Sequence, residues 1–226
     1  MSMSRGPARL AGVALAAALL LSGCAGLRPG TAIQVGDEQI TESELDDVTS
    51  SYCEAASSSL DEQAQTVPNG FFRTGIAGLL AMREVAEQVA AEQGVEVGPE
   101  DYQQQLTELE GQIASLPESH QEAVLTVETA RLYTEAAQVA IGQEALGGEG
   151  EEADFTAAGA QEMDRWIQDN GVEFDPALNV TMRDGQPARS DGSLSFAVSE
   201  GAKAGQEEQP NSAVAAELPD AQRCGR

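Results

Sequence analysis

The sequence predicts a mainly α fold of the α+β class, with helices framed by short strands. Three observations predict it. Long central segments repeat apolar residues at helical spacing between recognisable caps. Short apolar runs beside turn signals stand near both ends of that region. From Ser199 onward the periodicity disappears into Glu, Gln, Ala, Pro and Gly. A chain of 226 residues suits one domain with a tail. Aromatic residues are 4% of it, so the core must be built mostly from Ala, Val, Leu and Ile.

Ala32-Ile-Gln-Val35 reads as a strand and Gly36-Asp37 as a turn. Thr41-Glu-Ser-Glu44 then forms a capping box, because Thr41 can accept from the first free N–H groups and Glu44 can reach back. The helix it opens carries Leu45, Val48, Tyr52, Ala55 and Ala56 on one stripe. Cys53 lies about 100° round from Tyr52, at the flank of that stripe. Val67-Pro68-Asn69-Gly70 marks a loop, and a second helix is expected over about 72–93 with Gly94 as its stop. Leu79, Met82, Ala86 and Val89 share its inner face.

Gly98-Pro99-Glu100-Asp101 opens a third helix, with Pro in the first turn and acids where the helix dipole favours them. Tyr102, Leu106, Leu109, Ile113 and Leu116 make its seam. Leu116-Pro117 turns the chain into a fourth helix reaching about Gln143, with Ala123, Val127, Ala130, Ala137 and Ile141 facing one way. The third and fourth helices should pair as an antiparallel hairpin. Gly147 to Asp154 is an acidic connector without the alternating Asp spacing of a calcium loop. A fifth helix is expected over about 155–170, with Phe155, Met163, Trp166 and Ile167 near one face and Gly171 ending it. Strands are expected over 172–174 and 178–182, with Asp184-Gly185 as a turn and Ser193 to Val198 as a further apolar-leaning stretch.

Charge excludes whole classes of partner. Twelve basic residues face 38 acidic ones, a net of −26, which argues against nucleic acid and against docking on anionic lipid through a basic patch. One His and three Cys exclude most zinc sites. His120, beside Glu118 and Glu122, reads as a solvated helix residue. No Gly-x-Ser-x-Gly elbow supports a hydrolase. No catalytic residue, metal ligand or cofactor is expected.

The amino terminus reads as an address. Arg5 and Arg9 precede the apolar run from Leu10 to Leu21, which is shorter than the roughly 20 residues of a stable spanning helix. The run ends in Leu21-Ser22-Gly23-Cys24. This motif resembles the lipobox of bacterial lipoproteins, in which the Cys is lipidated and becomes the first residue. It implies a signal peptide over 1–23, Cys24 as the lipidation site and a tether over 24–31. The expected location is the extracytoplasmic face of the cell membrane, held by lipid alone. Cleavage leaves ten basic residues against 38 acidic, a net of −28. In an exported chain the two remaining cysteines, Cys53 and Cys224, suit a structural disulfide; two free thiols stay open, and no Cys-x-x-Cys supports a redox dithiol. A bridge would tie the tail over 199–226, otherwise expected to be disordered, to the first helix.

The stretch from Ala32 to Leu45 resembles the opening of the N-terminal domain of SurA-type periplasmic chaperones, where a strand, a turn, an Ile-Thr and a Glu-Leu pair lead into the first helix. The segment from Trp166 to Ser195 is similar to short actinobacterial lipoproteins of this type, with Gly192-Ser193-Leu194-Ser195 as its match. Their turn carries an Asn-Pro-Arg-like motif; here Asp175-Pro176-Ala177 lacks the Arg. The two ends, which frame residues 32–198, carry the resemblance. It implies a helical domain whose N- and C-terminal strands pair, and chaperone-like holding of unfolded or extended secreted polypeptides. The alternative is an accessory envelope lipoprotein with one defined protein partner. Fuller members insert a parvulin-type isomerase with paired histidines. The chain has no room for that domain and one His, so no isomerase activity is expected. Adjacent Phe71 and Phe72 cannot both face one core stripe; they read either as ordinary packing at a helix start or as client contacts.

Overall fold

A computed structural model describes residues 28–190 and 210–225. The expected signal segment, the expected lipidation site Cys24 and the stretch from Ser193 to Val198 lie outside the described residues. Strand β1 (Thr31–Val35) turns through Gly36 into β2 (Glu38–Thr41). Thr31, expected in the tether, already belongs to β1 and is buried. Thr41 caps α1 (Glu42–Glu62) with both bonds of the capping box in place. A two-residue strand β3 (Val67–Pro68) leads into α2 (Asn69–Gln93), which Gly94 ends at φ 68°. That left-handed geometry is open to Gly without the steric cost of a Cβ.

A 3₁₀ turn (Pro99–Tyr102) opens α3 (Gln103–Ile113), and α4 (Glu118–Ala145) returns after Pro117. The expected seam faces inward: Tyr102 and Ile113 are buried, and Leu106, Leu109 and Leu116 half-buried. All five inner-face residues read for α4 are buried. Helix α5 (Glu152–Asn170) leads directly into β4 (Val172–Phe174). β1 is the central strand of a three-stranded antiparallel sheet, with β2 on one side and β4 on the other. The N-terminal strand therefore pairs with the first of the two expected C-terminal strands.

The stretch 178–182 splits. Leu178 closes a 3₁₀ turn (Pro176–Leu178), begun when Asp175 Oδ1 accepts from the Ala177 N–H at 2.7 Å. Strand β5 (Val180–Arg183) then pairs with β6 (Gln186–Arg189) through Asp184-Gly185, both at positive φ as a two-residue hairpin turn requires.

The core lies where α2, α4 and α5 meet the sheet, around Ile33, Val35, Leu45, Val85, Val127, Ile141 and Met163. Helices α4 and α5 touch backbone to backbone. A Cβ on Gly142 would stand 1.8 Å from the Phe155 carbonyl oxygen, and one on Gly159 would stand 1.9 Å from that of Gln138. Glycine is what permits that approach.

The tail departs from expectation. Residues 210–225 are ordered, with a short helix α6 (Ser212–Ala215) and a strand β7 (Arg223–Cys224) that pairs antiparallel with β3. Cys53 and Cys224 are disulfide-bonded, with Cα atoms 5.5 Å apart. Composition predicted disorder because it registers apolar content; it does not register a covalent bond between residues separated by 171 positions.

Candidate functional site

A groove of about 470 Å³ lies between α2, α4 and the β5–β6 hairpin. Helix α2 supplies its floor through Gly75 and Gly78, with Leu79 and Met82 beside them. The hairpin supplies a wall through Val180 and Pro187, and α4 supplies a polar rim of Arg131, Thr134 and Gln138. Two glycines three residues apart weaken a helix interior by roughly 1 kcal/mol each relative to Ala. They serve different purposes here. A Cβ on Gly78 would meet Pro187 Cβ at 2.9 Å, so Gly78 admits the hairpin. A Cβ on Gly75 would meet nothing within 4 Å, so Gly75 leaves space.

The rim is electrostatically occupied. Arg131 donates to Glu135 Oε1 at 2.8 Å and lies 3.6 Å from Glu128, and the Glu135 bond raises its already high pKa further. Glu128 also accepts from the Tyr52 hydroxyl at 2.9 Å. Burial first, and the Glu128 charge second, push the Tyr52 pKa up to about 12. Tyr52 therefore stays a neutral donor that links α1 to the charged edge of α4.

Phe71 and Phe72 have separate fates. Phe72 is half-buried, its ring centroid 5.7 Å from that of Tyr52, and it touches both the main core and the small cluster around the disulfide. Phe71 is 41% exposed. Helical spacing places Phe71 on the same face of α2 as Gly75, Gly78 and Met82, one turn before the residues that line the groove. The separation was implicit in their adjacency. The groove itself was not foreseen; the signal available for it was the Gly-x-x-Gly spacing inside an otherwise strong helix.

His120 is placed elsewhere. Its Nε2 lies 3.0 Å from Glu54 Oε2, joining α4 to α1 about three turns before the groove residues of α4. Trp166 is buried, and its indole N–H donates to Glu92 Oε1 at 2.8 Å. Among the described residues no group of three or more His, Cys, Asp or Glu is placed to hold a metal ion, and no helix is long and apolar enough to cross a membrane. Comparison of the chain with protein-family models, with curated proteins and with solved structures finds no match.

Proposed function

We propose that this protein is a lipid-anchored, extracytoplasmic, chaperone-like binding protein that holds extended polypeptide, without isomerase activity. The observation that carries the reading is the shape and chemistry of the α2–α4–hairpin groove. Its α2 floor from Thr74 to Met82 spans about 12 Å at the rise of a helix. That length matches about four residues of extended chain. Apolar walls suit alternate side chains of such a chain, and the polar rim offers partners to its backbone. The volume lies within the ~300–1,000 Å³ of ordinary ligand sites. The Leu-Ser-Gly-Cys24 motif supports the anchor. The net charge of −26 favours basic clients, and this share should weaken with salt.

Gly75→Trp tests the site, because the new side chain enters open space. Protein made without residues 1–24 is expected to slow aggregation of unfolded clients, measured by light scattering, and Gly75→Trp to abolish the effect with an unchanged Tm. Rates of proline-limited refolding are expected to stay unchanged; catalysed refolding would overturn the non-enzymatic reading.

A second reading, one dedicated protein partner, has its own supporting observation. Among the described residues the large apolar side chains that stand exposed are Phe71 and Leu146, at 41% and 42%. Broad capture of unfolded chains uses larger apolar patches. Absence of any effect on scattering across chemically different clients, together with one stoichiometric partner crosslinked in intact cells, would establish that reading instead.

A further inference from the structure

Residues 210–225 form a strap across the junction of α1 and α2. The Ser212 hydroxyl accepts from the Thr66 N–H at 2.7 Å and donates to the Thr66 carbonyl at 2.9 Å. Asn69 donates to the Ala221 carbonyl at 3.4 Å, and β7 adds the two-residue pairing with β3. Along this ordered length only Ala215 and Cys224 are buried. Each ordered residue loses conformational entropy, and so few buried groups recover little of it. The disulfide offsets the deficit by keeping the strap beside its seat.

Two further observations concern how the strap could open. Both cysteines are buried, but Cys53 borders a surface groove of about 600 Å³ along with Ser57, Asn69 and Arg223, so a reductant reaches the bridge from that side. The residues beneath the strap, Cys53, Leu60 and Val67, form with Cys224 a cluster separate from the main core, and Phe72 touches both. The strap can therefore leave without dividing the core on which the sheet, α2, α4 and α5 converge.

We propose that the strap is a thiol-controlled cover, released when a dithiol reductant reaches the Cys53–Cys224 bond. One reductant thiolate attacks a protein sulfur and forms a mixed disulfide, expelling the other cysteine as a thiolate. The second reductant thiol then displaces the first cysteine, so the reductant departs as its own disulfide and both cysteines, once protonated, are thiols. Two electrons pass to the protein sulfurs. Opening lays Leu60, Val67 and the half-buried Phe72 bare next to exposed Phe71, and so enlarges the apolar surface at the amino end of α2.

Hydrogen exchange on the mature chain tests this, comparing the oxidised protein with protein treated with dithiothreitol and alkylated with iodoacetamide. Protection is expected to fall at least tenfold at residues 67 and 211–225, while β1, α2 from Ile76 onward and α4 keep theirs. Fluorescence of the apolar dye ANS is expected to rise several-fold. The double variant Cys53→Ser, Cys224→Ser should reproduce both changes, and oxidised Ser212→Ala should stay closed. Three results would overturn the proposal: a bond that resists dithiothreitol in the folded protein, a strap that keeps its protection with both thiols alkylated, or loss of protection throughout the chain on alkylation or in the double variant. The last would make the bridge a staple of the whole fold.

Discussion

At the scale of single residues, the cap of α1 and the glycines of α2 make the sharpest cases. Thr41 Oγ1 accepts from the Glu44 N–H at 3.2 Å, and the Thr41 N–H donates to Glu44 Oε2 at 2.9 Å. Thr41→Ala should cost about 1 kcal/mol in denaturant unfolding, the usual value of a lost N-cap. The backbone bond from Thr41 holds the Glu44 carboxyl below its ordinary 4.5. A depressed folded pKa means that the charged form stabilises the fold. Its contribution is complete above pH 4.5 and is lost as pH falls through the lower folded value. The Tm gap between wild type and Glu44→Ala should accordingly be present at pH 7 and narrow in acid. The two groove glycines should respond oppositely to alanine. Gly75→Ala should stabilise by up to about 1 kcal/mol, since helix propensity rises and nothing is displaced. Gly78→Ala presses on Pro187 and should loosen the hairpin, read as faster exchange at Thr181 and Ala188.

Between elements, close approach governs the response. Gly142 and Gly159 let α4 and α5 meet at their backbones. Gly142→Ala or Gly159→Ala places a methyl carbon within 2 Å of a carbonyl oxygen, so the helices must separate. Overpacking of this kind costs on the order of 1–3 kcal/mol, and rigid backbone on both sides puts these variants at the upper end. Gly111→Ala, whose Cβ would meet nothing within 4 Å on α3, should instead stabilise. Urea unfolding of the three variants checks the contrast; equal effects would refute the close-contact account. The hairpin reaches α2 through the same device, with Pro187 set against Gly78.

Across the whole molecule, charge sets the behaviour. Three of the arginines among the described residues serve acids on their own helix: Arg83 with Glu87, Arg131 with Glu135 and Arg165 with Glu162. Exposed pairs of this kind contribute only about 0–1 kcal/mol. Arg73 with Asp46 is an ion pair that ties α2 to α1. The net of −26 meanwhile repels itself over the whole surface. Screening thus removes more repulsion than attraction, and Tm should rise between 0.05 and 1 M NaCl; a fall would show that the ion pairs dominate. The proposed membrane attachment belongs to this scale as well. Cys24→Ala should stop lipidation and processing after Gly23, checked by metabolic labelling with a fatty-acid analogue.

The sequence by itself determined what depends on neighbours within a few positions. The Thr41–Glu44 box, the stops at Gly94 and Gly171, the Asp184-Gly185 turn and the inner faces of α3 and α4 are all local in origin. Hydrogen bonds three or four residues apart and the helical period leave them legible in composition and spacing. The groove, the choice of Phe72 rather than Phe71 for packing and the ordered strap were decided only by tertiary structure. Gly75 and Gly78 read alike until Pro187, more than a hundred residues later, fills the space over one and leaves the other open. The tail reads as solvent-loving until Cys224 meets Cys53 and Ser212 meets Thr66. Such contacts join segments remote in sequence, and their free energy depends on which surfaces the rest of the chain has already brought together, a quantity that no local pattern carries.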